Sequence, residues 1–226
     1  MPVITALEVH RRKKECVKLF LDEKFAMNLP LIEAAQLRQG QFLTQAEADA
    51  LAEAGLFQSA FDRAVRFLSF RPRSTAEVRR YLADNAIEEP VVQAVIEGLR
   101  ERAYLDDLAF ASFWLENRSR FKPMAPRALR YELRQKGVDD AVIDAVLSEF
   151  DADGAAYRAA KGRIHRYRGY TRQVFRRKLS GMLRRRGFDS ETINDVIMRL
   201  QHELDESEAG FFASDMDEKI AGKAPN

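Results

Sequence analysis

The same pattern occurs three times in this chain, at offsets of 51 and then 50 residues. Leu82-Ala83-Asp84-Asn85-Ala86-Ile87-Glu88 is matched by Leu133-Arg134-Gln135-Lys136-Gly137-Val138-Asp139, and that by Leu183-Arg184-Arg185-Arg186-Gly187-Phe188-Asp189. The match runs backward through Val78, Leu129 and Leu179, and forward through Val92, Ile143 and Ile193. Val95, Val146 and Val196 also align, as do Ile96, Leu147 and Ile197, while Pro72 and Pro123 share the break before the second helix. Each unit therefore reads as helix, break, helix, glycine-type cap, Asp or Ser N-cap, helix. Agreement of apolar positions, cap and break at one period is the mark of a repeat architecture, in which each unit buries its apolar face on its neighbour.

The cap chemistry explains the shared residues. Lys136-Gly137 and Arg186-Gly187 put a cation in the last turn of the second helix, where the helix dipole is negative, followed by a residue that adopts the left-handed conformation without a Cβ penalty. In the first unit Ala86 holds the glycine position beside Asn85, so that cap is expected to be weaker or shifted by one residue. Asp139, Asp140, Asp189 and Ser190 are N-cap types for the third helix.

Ahead of the repeats, Val3–Val9, Cys16–Leu21 and Phe25–Leu29 read as short strands joined by the polar segments Arg11–Glu15 and Asp22–Lys24, an antiparallel meander that needs a covering layer. Leu31–Leu37 reads as a helix stopping near Gly40. Thr44 and Glu47 form a capping box that opens another, with Gly55 expected to end it. A separate helix is expected over Ser59–Ser69, broken by Arg71-Pro72-Arg73; a second capping box, Ser74 with Glu77, opens the next. The fold class is mainly α: three tandem three-helix repeats in an elongated array behind a small antiparallel β-sheet and helix module. The expected domains are residues 1–57 for the β-containing module, 58–107, 108–153 and 154–204 for the repeats, and 205–226 for an acidic, mobile tail.

Composition narrows the chemistry. Cys16 is the only cysteine, so neither an internal disulfide nor a thiolate metal cluster can form, and a reducing, cytoplasmic setting is expected. There is no apolar run of membrane-spanning length and no signal-peptide pattern at the N-terminus. Phosphate-binding glycine loops, paired metal-binding histidines and a Gly-x-Ser-x-Gly elbow are all missing. Asp106-Asp107, the best paired carboxylates, read as the N-terminal cap of the helix carrying Phe110, Phe113 and Trp114. The expectation is a binding protein, not an enzyme, without metal or cofactor.

Charge carries the functional signal. Between Gly154 and Phe188 there is no Asp or Glu, but twelve cations: Arg158, Lys161, Arg163, Arg166, Arg168, Arg172, Arg176, Arg177, Lys178, Arg184, Arg185 and Arg186. Solvated helices usually mix signs; an unopposed stretch is an electrostatic footprint for a polyanion or an acidic protein groove. The ten from Arg163 to Arg186 are the candidate partner- and DNA-binding residues. Tyr157, Tyr167, Tyr170 and Phe175 are interleaved and read as core before base platforms. Beyond Gly187 the balance turns acidic, and the tail from Leu204 is expected to fold back on the basic repeat. One reading is an independent DNA-binding helical-repeat protein; a second is a scaffold for an unrelated partner.

Arg71-Pro72-Arg73-Ser74 with Glu77 and Leu82 resembles the first-repeat signature of the RecX family, regulators of the RecA recombinase. Tyr104-Leu105-Asp106-Asp107 with Phe110, Ala111 and Arg118, and Tyr131–Val138, are similar to that family's repeat junction and second-repeat motif. Ala103 and Ala86 stand where the family carries glycine. The resemblance covers about Ser59–Leu204, with Phe20–Phe25 similar to the β-containing extension of longer members. It implies a protein that docks in the groove of the RecA filament on single-stranded DNA and lowers ATP hydrolysis, strand exchange and co-protease activity in DNA repair. Of the cations, Arg176, Arg177, Lys178, Arg184, Arg185 and Arg186 are the favoured contacts.

Overall fold

The computed structural model describes residues 1–11 and 16–213. The expected polar turn at 12–15 and the tail beyond 213 lie outside them. Three strands come first: β1 (Ile4–Val9), β2 (Cys16–Leu21) and β3 (Lys24–Pro30). They form one antiparallel sheet in the order β1-β2-β3. Leu21 pairs with Lys24 across a two-residue turn, and Asp22 and Glu23 both have positive φ, 47° and 63°. That mirror-image turn matches the right-handed twist of the strands it joins.

Ten α-helices follow among the described residues. The first unit, residues 1–107, holds α1 (Leu31–Ala34), α2 (Gln45–Leu68), α3 (Thr75–Asp84) and α4 (Glu89–Glu101). The second, from Leu108 onward, is built on α5 (Asp107–Phe121), α6 (Pro126–Gln135), α7 (Asp140–Leu147), α8 (Ala152–Lys161), α9 (Arg172–Arg185) and α10 (Ser190–Ser207). A 3-10 turn, Ile164–Tyr167, precedes α9.

Each repeat has its own core. Val78, Leu82, Val92, Val95, Ile96 and Leu99 are fully buried in the first. In the second, Leu129, Leu133 and Ile143 occupy the matching places, and in the third Phe175, Leu179, Leu183, Ile193 and Ile197. The aligned apolar positions are thus the buried ones, save Val146 and Leu147 of the second repeat, which are half-buried. Both capping boxes form: Thr44 and Ser74 each accept from the backbone N–H of the glutamate three residues on, whose carboxylate accepts in return. Asp107 begins α5, but its Oδ1 accepts the backbone N–H of Thr75 at 2.8 Å and so satisfies the start of α3.

Three expectations are corrected and one is narrowed. Gly55 does not end a helix: α2 is continuous for 24 residues, through 57 and 58, and no separate helix begins at Ser59. A Cβ at Gly55 would stand 3.0 Å from the Cβ of Met27, so glycine is there to let α2 lie close on β3. Of the two alternatives for the cap at Ala86, weaker or shifted, the shift is absent: Ala86 itself takes φ 57°, as Ala103 takes φ 55°, and Asn85 stays at φ −95°. The helix expected over Leu31–Leu37 lasts only to Ala34. The segment from 205, expected to be a separate tail, is packed into the third repeat as far as Phe211: α10 runs on to Ser207, and Phe211 is 1% exposed, its ring edge-on to Phe175 at 6.2 Å.

Candidate functional site

The cation-rich sequence folds into α8, the 3-10 turn and α9. α9 forms because Thr171 accepts the N–H of Val174, because Val174, Phe175, Leu179, Met182 and Leu183 make one buried stripe, and because Gly187 at φ 88° closes the helix behind Arg184 and Arg185. The stripe leaves the remaining positions outward. Arg177 and Arg184 are seven residues apart, as are Lys178 and Arg185, so each pair lies on one face about 10.5 Å apart along the axis.

The ten candidate residues divide by partner. Arg168 pairs with Glu208 at 3.2 Å and Arg172 with Asp205. Arg172 also lies over the ring of Phe212, 4.6 Å from its centroid. The carboxylates therefore come from α10 and the residues just after it, which corrects the reading of an unopposed cluster. Arg158 and Lys161 are likewise matched, by Asp151 and Glu203. The Tyr157 hydroxyl donates to Glu203 at 2.6 Å and accepts from Lys161 at 2.7 Å. That bond, with a further one from Arg199, holds Glu203 below the usual carboxylate range. Arg176 donates to the neutral Asn194 at 3.1 Å, and Lys178 lies 5.1 Å from the ring centroid of Tyr170. Arg186 is partly buried and donates to the Pro123 carbonyl at 3.1 Å; burial and the nearby Arg163 lower its pKa.

Arg163, Arg166, Arg177, Arg184 and Arg185 remain, all exposed and with no hydrogen bond or ion pair to another side chain among the described residues. For Arg184 the second repeat shows the reason. In the first, Arg79 of α3 pairs with Glu89 of α4. In the second, Arg130 and Arg134 of α6 pair with Asp144 and Asp140 of α7, the latter contact bidentate at 2.6 and 3.0 Å. The third repeat keeps the cation, as Arg184 in place of Arg134, and replaces the two acids by Ser190 and Asn194. The second-helix cation that Asp140 neutralises in the second repeat is left available in the third, where the Arg79 and Arg130 position is Ser180. This neutral substitution was readable from the alignment of the repeats.

Elsewhere the chemistry is sparse. A cavity of about 920 Å³ beside α2 in the first unit is mostly apolar, with Glu33, Glu53, Glu88 and Arg102 among its lining residues. Among the described residues no three His, Cys, Asp or Glu side chains are grouped to hold a metal ion, and no helix is long and apolar enough to cross a membrane.

Models described as the first, second and third three-helix domains of RecX match residues 60–99, 106–147 and 151–197. The chain belongs to the RecX family. Regulatory protein RecX of Bacillus velezensis is 30% identical over 211 residues, 91% of this chain and 80% of the relative. That of Bacillus pumilus is 29% identical over 217 residues, 92% and 82% of the two chains. A crystal structure of regulatory protein RecX superimposes with a TM-score of 0.69 at 24% identity, covering 87% of this chain and 98% of the other. RecX from Lactobacillus salivarius gives 0.56 at 20% identity over 65% and 97%. The ten candidate cations all fall in the segment matched by the third RecX domain.

Proposed function

We propose that this chain binds the RecA filament on single-stranded DNA and lowers its ATPase, strand-exchange and co-protease activities by occupancy, in the bacterial cytoplasm and without chemistry of its own. Membership of a family whose relatives are named regulatory proteins supports the regulatory role. One observation carries the proposed contact: the third repeat keeps the cation of Arg134 as Arg184 and lacks the carboxylate, Asp140, that neutralises it in the second. A free arginine gains a partner on binding and breaks no internal pair, while DNA phosphates release counterions when they meet it. Occupancy needs only differential binding free energy, so no active site is required. Arg184 and Arg185 lie in the last turn of α9, a position suited to phosphate or acidic side chains and not to reading base edges, which argues against a sequence-specific groove reader.

The test is RecA ATPase on single-stranded DNA titrated with this protein. Hydrolysis falls at substoichiometric amounts of wild type, and the fall is lost when Arg177, Arg184 and Arg185 are all changed to Glu. Unchanged inhibition by the folded triple variant would remove these residues from the interface. No effect of the wild type, with its circular dichroism helical, would remove the regulatory reading.

A further inference from the structure

Two large aromatic side chains stand in water where the core has no use for them. Phe70 is 74% exposed and Phe121 is 71% exposed. They occupy the same station of the repeat, 51 residues apart, five residues before the start of α3 and of α6 respectively. Each lies in a stretch without a carboxylate. From Arg63 to Ala76 there are four cations, Arg63, Arg66, Arg71 and Arg73; from Asn117 to Tyr131 there are five, Arg118, Arg120, Lys122, Arg127 and Arg130. Several are already committed: Arg71 to Glu77, Arg118 to Glu132 and Arg130 to Asp144. Arg66, Arg120, Lys122 and Arg127 make no ion pair among the described residues. The Arg120 guanidinium lies 5.3 Å from the centre of the Phe121 ring, and Arg186, bonded to Pro123, adds charge two residues further on.

An exposed ring in an acid-free stretch of chain that holds unpaired cations suits a ligand that has flat apolar faces and regularly spaced negative charge. We infer that Phe70 and Phe121 are stacking platforms for the bases of single-stranded nucleic acid, each beside cations that take the adjoining phosphates. Stacking on an exposed ring is tolerant of sequence because every base offers a π-face, and the phosphates supply the salt-dependent part of the affinity. A duplex keeps its bases stacked inward and cannot use the rings. The inference rests on the reading that single-stranded DNA is among the partners; it adds that the strand is touched directly.

The experiment measures binding of the full chain to a fluorescent oligo-dT across a salt series. Phe70→Ala and Phe121→Ala should each weaken binding about tenfold, the worth of one stacked base, without changing the slope of log affinity against log salt. Arg120→Ala or Lys122→Ala should reduce that slope by about 0.7 for each phosphate the side chain neutralises. Phe121→Trp should retain affinity, and the fluorescence of the added indole should be quenched by the strand. Binding to duplex DNA of equal length should be unaffected by either Phe→Ala change. Unaltered affinity of both alanine variants for oligo-dT overturns the inference, as does absence of wild-type binding to the naked strand at low salt. So does a loss confined to the filament, which would assign the rings to a protein surface. Inhibition of the recombinase ATPase is read separately, so the regulatory reading can stand when the stacking inference falls.

Discussion

Arg186 donates from its guanidinium to the carbonyl of Pro123 at 3.1 Å, so the residue that ends α9 holds the loop that opens α6. The backbone N–H of Ala125 donates to the carbonyl of Arg186 at 2.9 Å, closing the contact from the other side. Arg186 is thus a joint between the second and third repeats, unlike its neighbours Arg184 and Arg185. Replacing Arg186 by Ala should lower stability by about 1.5–3 kcal/mol, the range for a hydrogen bond made by a charged group. Arg184→Ala and Arg185→Ala should stay within about 0.5 kcal/mol of wild type. Urea unfolding of the three variants decides it.

Returning the missing carboxylates should switch the third repeat off without unfolding it. Ser190 is the first residue of α10, where an acid is favoured by the helix dipole. Ser190→Asp with Asn194→Asp should pair with Arg184 as Asp140 pairs with Arg134, weakening filament binding and reducing its salt dependence while leaving the melting temperature unchanged or higher. Equal affinity and salt slope would mean that Arg184 is not at the interface.

Left-handed positions give opposite predictions for two aligned residues. Ala86 and Gly187 share the cap position, at φ 57° and 88°. Ala86→Gly should gain up to about 1 kcal/mol by relieving a Cβ clash that glycine avoids. Gly187→Ala should cost about 1–3 kcal/mol, since its Cβ would also stand 3.0 Å from the Cβ of Ala128. Thermal denaturation of both variants checks the pair.

Phe211 belongs to the core of the third repeat, so truncation at Leu204 does more than remove acidic charge. Phe211→Ala should destabilise by about 3–5 kcal/mol. A chain cut at 204 should melt lower still, which makes it unsuitable for asking whether the acidic segment competes with a ligand. A melting temperature unchanged by Phe211→Ala would contradict the packing.

Acid should loosen the third repeat through Glu203. Its folded pKa lies below the free value of 4.5, chiefly because the Tyr157 hydroxyl donates to it. The contribution to stability is therefore full above the free pKa and is lost as pH falls through the lower folded value. Wild type should lose stability from about pH 5 downward, and Glu203→Gln should show a shallower loss over the same range in unfolding measured against pH.

The repeats were legible because their signals are local. Thr44 with Glu47, Ser74 with Glu77, and Gly137 and Gly187 behind their cations each declare a helix end within four residues. Most of the apolar positions shared by the three units are buried, with Val146 and Leu147 only half-buried. Where sequence reading failed, the decisive contact was distant. Gly55 looks like a helix end until Met27 is found against it, and the acidic residues after Gly187 look like a tail until Phe211 is seen beside Phe175. The same holds for charge. Arg168 and Arg172 lack a nearby acid in sequence, yet meet Glu208 and Asp205 through the return of α10. The reverse case was open to inspection: the neutral Ser190 and Asn194 stand in plain alignment with Asp140 and Asp144. Their meaning needed the pairs seen in the second repeat.

The 24-residue helix α2 has a last consequence, for engineering. Its first half covers the sheet through Leu51 and Gly55, and its second half gives Ala60 and Ala64 to the core of the first repeat. The β-containing module is consequently no detachable cassette. A cut made between residues 57 and 58 severs a rod of about 36 Å in mid-span, leaves the sheet with half a helix, and obliges the first repeat to nucleate a shortened helix unaided. Grafting the sheet onto another repeat protein would have to carry the whole of α2 with it, and a chain lacking the sheet would have to invent a new beginning for that helix.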